Sequence, residues 1–230
     1  MSGWVDFLDS AHPIYVSDRH RDVHYRLIAH DIGQLVPSPA ANVLDYGCGD
    51  ALHAGDIAAV AGRLTLCEAG PQVRAAVAAR FAGNPKIAVT APDEVERLPD
   101  RSFDMIVMHS VAQYLTASEL EAVLALFRRL LKPDGLFVLG DVIPTRVSAA
   151  TDALALLRFG AREGFLAAAV SGLVRTVFSS YWRLRSTLGI ARYDADAIAA
   201  KLAAAGFSAE RAAHNIGHNP QRMTFLARPR

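Results

Sequence analysis

A chain of 230 residues, 52% apolar and 20% charged, can bury a full core as one domain, which excludes disordered, collagen-like and coiled-coil classes. Twenty-four Lys and Arg balance 23 Asp and Glu, and a net charge of +1 gives no electrostatic footprint for a nucleic-acid partner, so none is expected. Cys48 and Cys67 have no His or Cys at metal spacing, the first residues carry acids where a signal peptide carries Lys or Arg, and the longest uncharged apolar run, 165–174, is about half a membrane span. The expectation is a reduced, cytoplasmic protein.

The first forty residues read as helical, with a His/Tyr/Arg-rich stretch over 12–30 that holds Tyr15, His20, His24 and Tyr25. His20 and His24, four apart on a helix, share a face. That spacing suits a metal, but no third ligand lies nearby and no metal is expected. From residue 42 onward, short β-branched or Leu-rich runs alternate with longer helical patterns, as in a parallel sheet covered by helices. Strands are predicted over 43–46, 64–68, 87–90, 103–109 and 136–141, and helices over 54–61, 71–81 and 118–131. Thr116 or Ser118 can cap the third helix, Glu119 and Glu121 lie in its first turn, Arg128 and Arg129 in its last, and Lys132-Pro133-Asp134-Gly135 stops it.

The stretch 144–192 is long and helical without strand signals, and carries a net +5 against −4 for the remainder. Asp194 then opens a helix to about 205, Gly206 ends it, and 207–213 and 223–227 read as two last strands around a polar turn. One domain over 1–230 is expected: a helical cover (1–41), a cofactor-binding core (42–143), a helical lid insert (144–192), and a C-terminal helix and hairpin (193–230).

Val43-Leu44-Asp45-Tyr46-Gly47-Cys48-Gly49-Asp50-Ala51 follows a predicted strand and opens a predicted helix. Glycines there let the backbone turn tightly and approach a ligand, and a helix start offers unpaired N–H groups. The dinucleotide fingerprint would need glycine at position 52 and finds Leu52. Asp45 and Asp50 flank the glycines, and two carboxylates there oppose a diphosphate and suit a cationic ligand. An NAD-dependent oxidoreductase is therefore disfavoured. About twenty residues on, Glu68 ends the next strand, where an acid can accept both hydroxyls of a ribose.

These segments, with Asp93-Glu94-Val95-Glu96-Arg97-Leu98-Pro99 and Leu130-Leu131-Lys132-Pro133-Asp134-Gly135-Leu136, resemble in order and spacing the class I S-adenosylmethionine-dependent methyltransferases, in particular their small-molecule branch. The resemblance implies a Rossmann-like seven-stranded α/β sheet with its last strand antiparallel. It implies S-adenosylmethionine as the cofactor, with Asp45, Gly47 and Gly49 at its methionine part, Glu68 at the ribose, and Cys48 and Ala69 as further cofactor contacts. Asp93 or Glu94 would reach the adenine, with Val95 beside it. The family's third glycine is Ala51 here, and its Asp-Ala before Leu-Pro is Glu94-Val95.

In that sheet His109 leaves the fourth strand where strand order reverses, which makes it a candidate for cofactor contact and for general-base catalysis; alternatively it satisfies local backbone. Ser110 and Tyr114 on the same loop, Tyr15 and His24 on the cover, and His218 in the last turn are candidates for binding the acceptor. Phe159, Phe165, Leu166, Leu173, Val174, Val177, Phe178, Tyr181 and Trp182 give the insert its apolar side. The expected partner is a small apolar or lipid-like acceptor, with at most peripheral membrane contact through the insert. The competing reading is a catalytically silent binder of S-adenosylmethionine or S-adenosylhomocysteine (SAH).

Overall fold

The computed structural model describes residues 2–9, 15–177 and 189–230. Phe178, Tyr181, Trp182, Arg183 and Arg185 of the insert, and His12, lie outside the described residues, as do the side chains of Thr176 and Val177.

Strands β1 (Asn42–Tyr46), β2 (Arg63–Cys67), β3 (Ile87–Thr90), β4 (Phe103–His109), β5 (Leu131–Val142), β6 (Phe207–Arg211) and β7 (Met223–Pro229) form one sheet in the order β3-β2-β1-β4-β5-β7-β6. β1 to β5 pair in parallel, and β7 lies antiparallel between β5 and β6. β6 therefore runs with the first five, and the turn after it opens on their carboxyl edge. The strand order reverses between β1 and β4, which leaves a crevice at that edge.

Alternation along each strand feeds two cores. Leu44, Ile106, Met108, Phe137 and Leu139 face one side, against Leu120, Leu124 and Phe127 of α6 (Ala117–Leu130) and Ile198 and Leu202 of α9 (Ala195–Ala204). Val43, Leu64, Leu66, Met105, Val107 and Val138 face the other. There they meet Ile28, Ala29 and Ile32 of α2 (Asp18–Leu35), Ile57 of α3 (Ala54–Val60) and Val77 of α4 (Pro71–Phe81). Burying one such Phe or Leu contributes about 1.5–3 kcal/mol, so the doubly covered sheet is the main source of stability.

Particular contacts set the local details. Residues 92–96 form a short helix, α5 (Pro92–Glu96), where Pro92 sits at the first position and Glu94 folds back on the Ala91 amide at 2.8 Å. The Lys132-Pro133-Asp134-Gly135 run does not separate α6 from β5: the strand begins at Leu131, and a register shift between Phe103–Leu131 and Met105–Leu136 absorbs it. Thr116, not Ser118, caps α6, through a reciprocal pair with Glu119. Asp194 holds the cap position of α9, but its carboxylate takes the Thr145 hydroxyl.

The cover consists of α1 (Ser2–Leu8) and α2, and the insert supplies α7 (Ala149–Glu163) and α8 (Leu166–Val177). Phe159, Phe165 and Ala169 of the insert pack with Val23 of α2 as a small satellite core. Among the described residues no helix is long and apolar enough to cross a membrane.

Candidate functional site

At the carboxyl edge of β1, β2 and β4 lies a cavity of about 1070 Å³. Its floor is the loop after β1. Gly47 and Gly49 there adopt φ of +80° and +56°. A Cβ on Gly47 would stand 2.4 Å from Val111 Cγ2, and one on Gly49 2.6 Å from Tyr25 Oη, so both positions need glycine for space and for backbone. Ala51, where the related pattern has a third glycine, takes φ +46° and bears strain of about 1–2 kcal/mol.

Asp45, next to last in β1, lies beneath this loop, buried, and its carboxyl has no hydrogen-bond partner among the described residues. Burial, reinforced by Glu68, pushes its pKa up to about 7. Glu68 accepts the Gly49 amide hydrogen at 2.9 Å and the Gly70 amide hydrogen at 2.8 Å, one on each oxygen. It thereby ties the end of β2 to the glycine loop and keeps lone pairs for a ligand. Asp50 differs from the expectation, because Arg21 of α2 pairs with it at 2.8 Å. The charge that opposes a diphosphate comes from Glu68, joined by Asp45 when it ionises.

The cover is bonded to the floor. Tyr25 Oη accepts the Asp50 amide hydrogen at 2.9 Å, and Tyr15 bonds Tyr25. Burial drives the Tyr15 phenol up to about 12, so it stays protonated. His24 lines the cavity with its buried Nδ1 unpartnered among the described residues, as is Gln113 Oε1. His218 stacks on Phe159 with ring centroids 4.3 Å apart, and His20 on Phe165 at 4.9 Å. Burial lowers the pKa of His20 and His218 to about 4 and holds that of His24 well below its ordinary value, so all three are neutral at pH 7.

At the ends of β4 and β5 a chain of polar contacts closes the far wall. The Ser110 hydroxyl donates to Asp141 Oδ2 at 2.7 Å, and His109 Nδ1 lies 3.1 Å from Ser110 Oγ. His109 Nε2 lies 3.3 Å from the Ile216 carbonyl. Ser110 and Asp141, neither a glycine, have φ of +57° and +58°. The next turn is anchored by Asn215, which accepts the Asp141 amide hydrogen at 3.2 Å, and by Asp31 of α2, which accepts that of Gly217 at 2.8 Å.

The cavity wall thus collects Asp45, Gly47, Cys48, Gly49, Glu68, Ala69, His109, Ser110, Tyr114, Tyr15, His24 and His218. It does not include Asp93, Glu94 or Val95. Asp93 pairs with Arg97 at 2.9 Å, Glu94 accepts from Thr90 and Ala91, and Val95 is core; Pro92 is the wall residue after β3. The described side chains of α7 and α8 do not line it either, because those helices back α2 from outside. Asp141 and Arg222 line it and carry no motif; their signal is position, at the carboxyl end of β5 and before β7. Among the described residues no three His, Cys, Asp or Glu side chains are grouped to hold a metal, and both cysteines are free and buried.

Residues 44–139 match a family model described as "Methyltransferase domain". No curated protein matches the chain. Among solved structures, the chain is similar to the DhpI–SAH complex at 14% identity and a TM-score of 0.62, over 99% of this chain and 94% of that one. It is similar to magnesium protoporphyrin IX methyltransferase from Synechocystis PCC 6803 with bound SAH at 14% identity and a TM-score of 0.61, over 100% and 94%. A chain of the complex that contains the Haloferax volcanii Trm112 methyltransferase activator matches at 15% identity and a TM-score of 0.61, over 91% of each chain. Residues 44–139 are thus a methyltransferase domain, carried on the fold of the class I S-adenosylmethionine-dependent methyltransferases.

Proposed function

We propose that the chain transfers a methyl group from S-adenosylmethionine to a small, apolar acceptor bound in the same cavity. The observation that carries this reading is the unpartnered, buried carboxyl of Asp45 beside Glu68, under a loop whose two glycines admit no side chain. Such a floor fits a cationic nucleoside and disfavours a diphosphate.

Asp45, Gly47 and Gly49 hold the methionine part, Cys48 lies beside them, and Glu68 and Ala69 take the ribose. With Asp93 and Glu94 turned to their own helix, Pro92 is the described residue that bounds the adenine side. When bound, S-adenosylmethionine supplies an electrophilic methyl group, so the protein's main task is to orient the acceptor, which is worth about 7–11 kcal/mol of barrier.

The acceptor side is formed by Tyr15, His24, Ser110, Tyr114 and His218, with His109 behind them. Trp4, Leu8, Val111, Leu115, Ile143 and Ile190 complete the wall and support an apolar acceptor. α1 and α2 supply Trp4, Leu8, His24 and Tyr25 to the cavity wall, which limits the water that reaches the reacting centre.

The test is incubation of the protein and cell extract with methyl-labelled S-adenosylmethionine, followed by mass identification of the labelled product. A labelled small molecule supports the proposal. Tight binding of S-adenosylmethionine with no transfer would support the silent binder, and preference for NAD would overturn the cofactor assignment.

A further inference from the structure

Both ring nitrogens of His109 are turned toward the protein: Nδ1 to Ser110 Oγ at 3.1 Å and Nε2 to the Ile216 carbonyl at 3.3 Å. Neither is directed at an acceptor. At the other end of the chain, Asp141 presents a carboxylate that lines the cavity, and only its Oδ2 has a partner among the described residues, the Ser110 hydroxyl at 2.7 Å. The geometry points to Asp141, Ser110 and His109 as one proton-accepting unit in which Asp141, not His109, meets the methyl acceptor. This rests on the methyltransferase reading above.

Counting protons supports it. The chain Ile216 carbonyl, His109, Ser110, Asp141 carboxylate begins and ends in an acceptor and contains three contacts. Neutral imidazole and a hydroxyl supply two protons. With the proton on Nδ1, the contact of Nε2 with Ile216 is unfilled; with it on Nε2, Ser110 turns to Nδ1 and the contact with Asp141 is unfilled. In either tautomer the unit fills its third contact by taking up one proton.

The arrangement is imposed by the backbone. Ser110 and Asp141 sit side by side in the left-handed region, φ +57° and +58°, a conformation costing about 1–3 kcal/mol at such residues. Gly140 leaves room for the ring, since a Cβ there would stand 2.7 Å from His109 Cδ2. Burial holds the pKa of His109 below its ordinary value, with Arg222 acting the same way; Asp141 on β5, the Ile216 carbonyl and Asp31 on α2 act against it, and neutral His24 and His218 are the nearby histidines.

In the step that this unit serves, the acceptor's bond to its proton breaks and the electron pair stays on the acceptor, which uses it to bind the methyl group as the methyl–sulfur bond breaks and its pair remains on the sulfur of the departing SAH. The proton forms an O–H bond at Asp141. From the Nε2-protonated tautomer, Asp141 passes a proton to Ser110 as Ser110 passes its own to Nδ1, leaving imidazolium and carboxylate with all three contacts filled. Release to solvent resets the unit. Asp141 is the catalytic residue, and Ser110 and His109 are positioning residues.

The test is ¹⁵N NMR of histidine-labelled protein without ligand, with the His109 signals assigned by their loss in His109→Gln. The expected result is a fall in the His109 titration midpoint of one pH unit or more, a tenfold loss of proton affinity, in both Asp141→Asn and Ser110→Ala. With an acceptor in hand, Asp141→Asn lowers kcat by about 10²–10⁴ and shifts its acidic limb. SAH affinity by calorimetry then changes less than threefold. An identical midpoint in wild type and both variants, or wild-type kcat in Asp141→Asn at every pH, overturns the proposal. A wild-type chain that transfers no methyl group overturns the methyltransferase reading alone, because the ligand-free titration still decides the unit.

Discussion

Glu68, at the end of β2, accepts the amide hydrogen of Gly49 at 2.9 Å, across a separation of 19 residues in the chain. Its other oxygen takes Gly70 at 2.8 Å, so a single carboxylate sets the shape of the floor before any ligand arrives. Replacing Glu68 by Ala removes this clamp and the acceptor for the ribose. Charge-assisted hydrogen bonds of this kind are worth about 1.5–3 kcal/mol, so the Kd for S-adenosylmethionine should rise roughly 10- to 100-fold. Calorimetry giving the wild-type Kd would refute the assignment.

Asp45 gives the protein a pH dependence of definite sign. Its folded pKa, about 7, is above its ordinary value of 3.8, so between these the folded state holds more protons than the unfolded state. Its contribution is fully present below about pH 4 and is lost as pH rises toward 7. Asp45→Asn should therefore gain stability relative to wild type between pH 5 and pH 8 in urea titrations, and lose S-adenosylmethionine affinity. A wild-type–variant difference that does not vary with pH would contradict the burial argument.

The cover histidines act in the opposite direction. His20 and His218 titrate near 4 in the folded state against 6.5 when unfolded, so the unfolded state binds more protons in that window. Stability from these groups is complete above 6.5 and lost as pH falls toward 4. His218→Phe keeps a ring on Phe159 and removes one ionisable group. Thermal melts at pH 5 and pH 7 should differ less in this variant than in wild type, and an equal or larger difference would count against the assignment.

Gly49→Ala should force Tyr25 away from the loop, because the new methyl would meet Tyr25 Oη at 2.6 Å. Overpacking of this kind costs about 1–3 kcal/mol, read as a lowered urea midpoint. Tyr25→Phe alone loses the bond to the Asp50 amide, yet in the Gly49→Ala background it also removes the clash, since the next atom, Cζ, is 3.7 Å away. The double variant should be less destabilised than the sum of the two singles. Strict additivity would show that Tyr25 does not rest on the loop.

The parallel core was legible because buried strands and amphipathic helices have distinct periods: β3, β4 and α4 match the predicted ranges 87–90, 103–109 and 71–81. Short elements set by particular contacts were not, as with α5, five residues fixed by Pro92 and by Glu94 folding onto Ala91. In the site, the glycine loop and Glu68 carry a local signature, whereas Asp141 is one acid at the end of a strand. It becomes legible only when β5 is paired beside β4, which brings it to Ser110 across 31 residues. Asp93 and Glu94 illustrate the converse: acids in the expected place whose own helix engages them first.

Because β7 fills the gap between β5 and β6, a chain emerging from the ribosome has no neighbour for β6 until β7 is made. Until then the loop that seats Gly217 on Asp31 and Ile216 over His109 lacks the Thr224 hydroxyl of β7, which accepts the Ile216 amide hydrogen at 3.1 Å and donates to Asn215 at 2.9 Å. The wall around His109, His218 and Arg222 therefore takes its final form only once synthesis has passed β7.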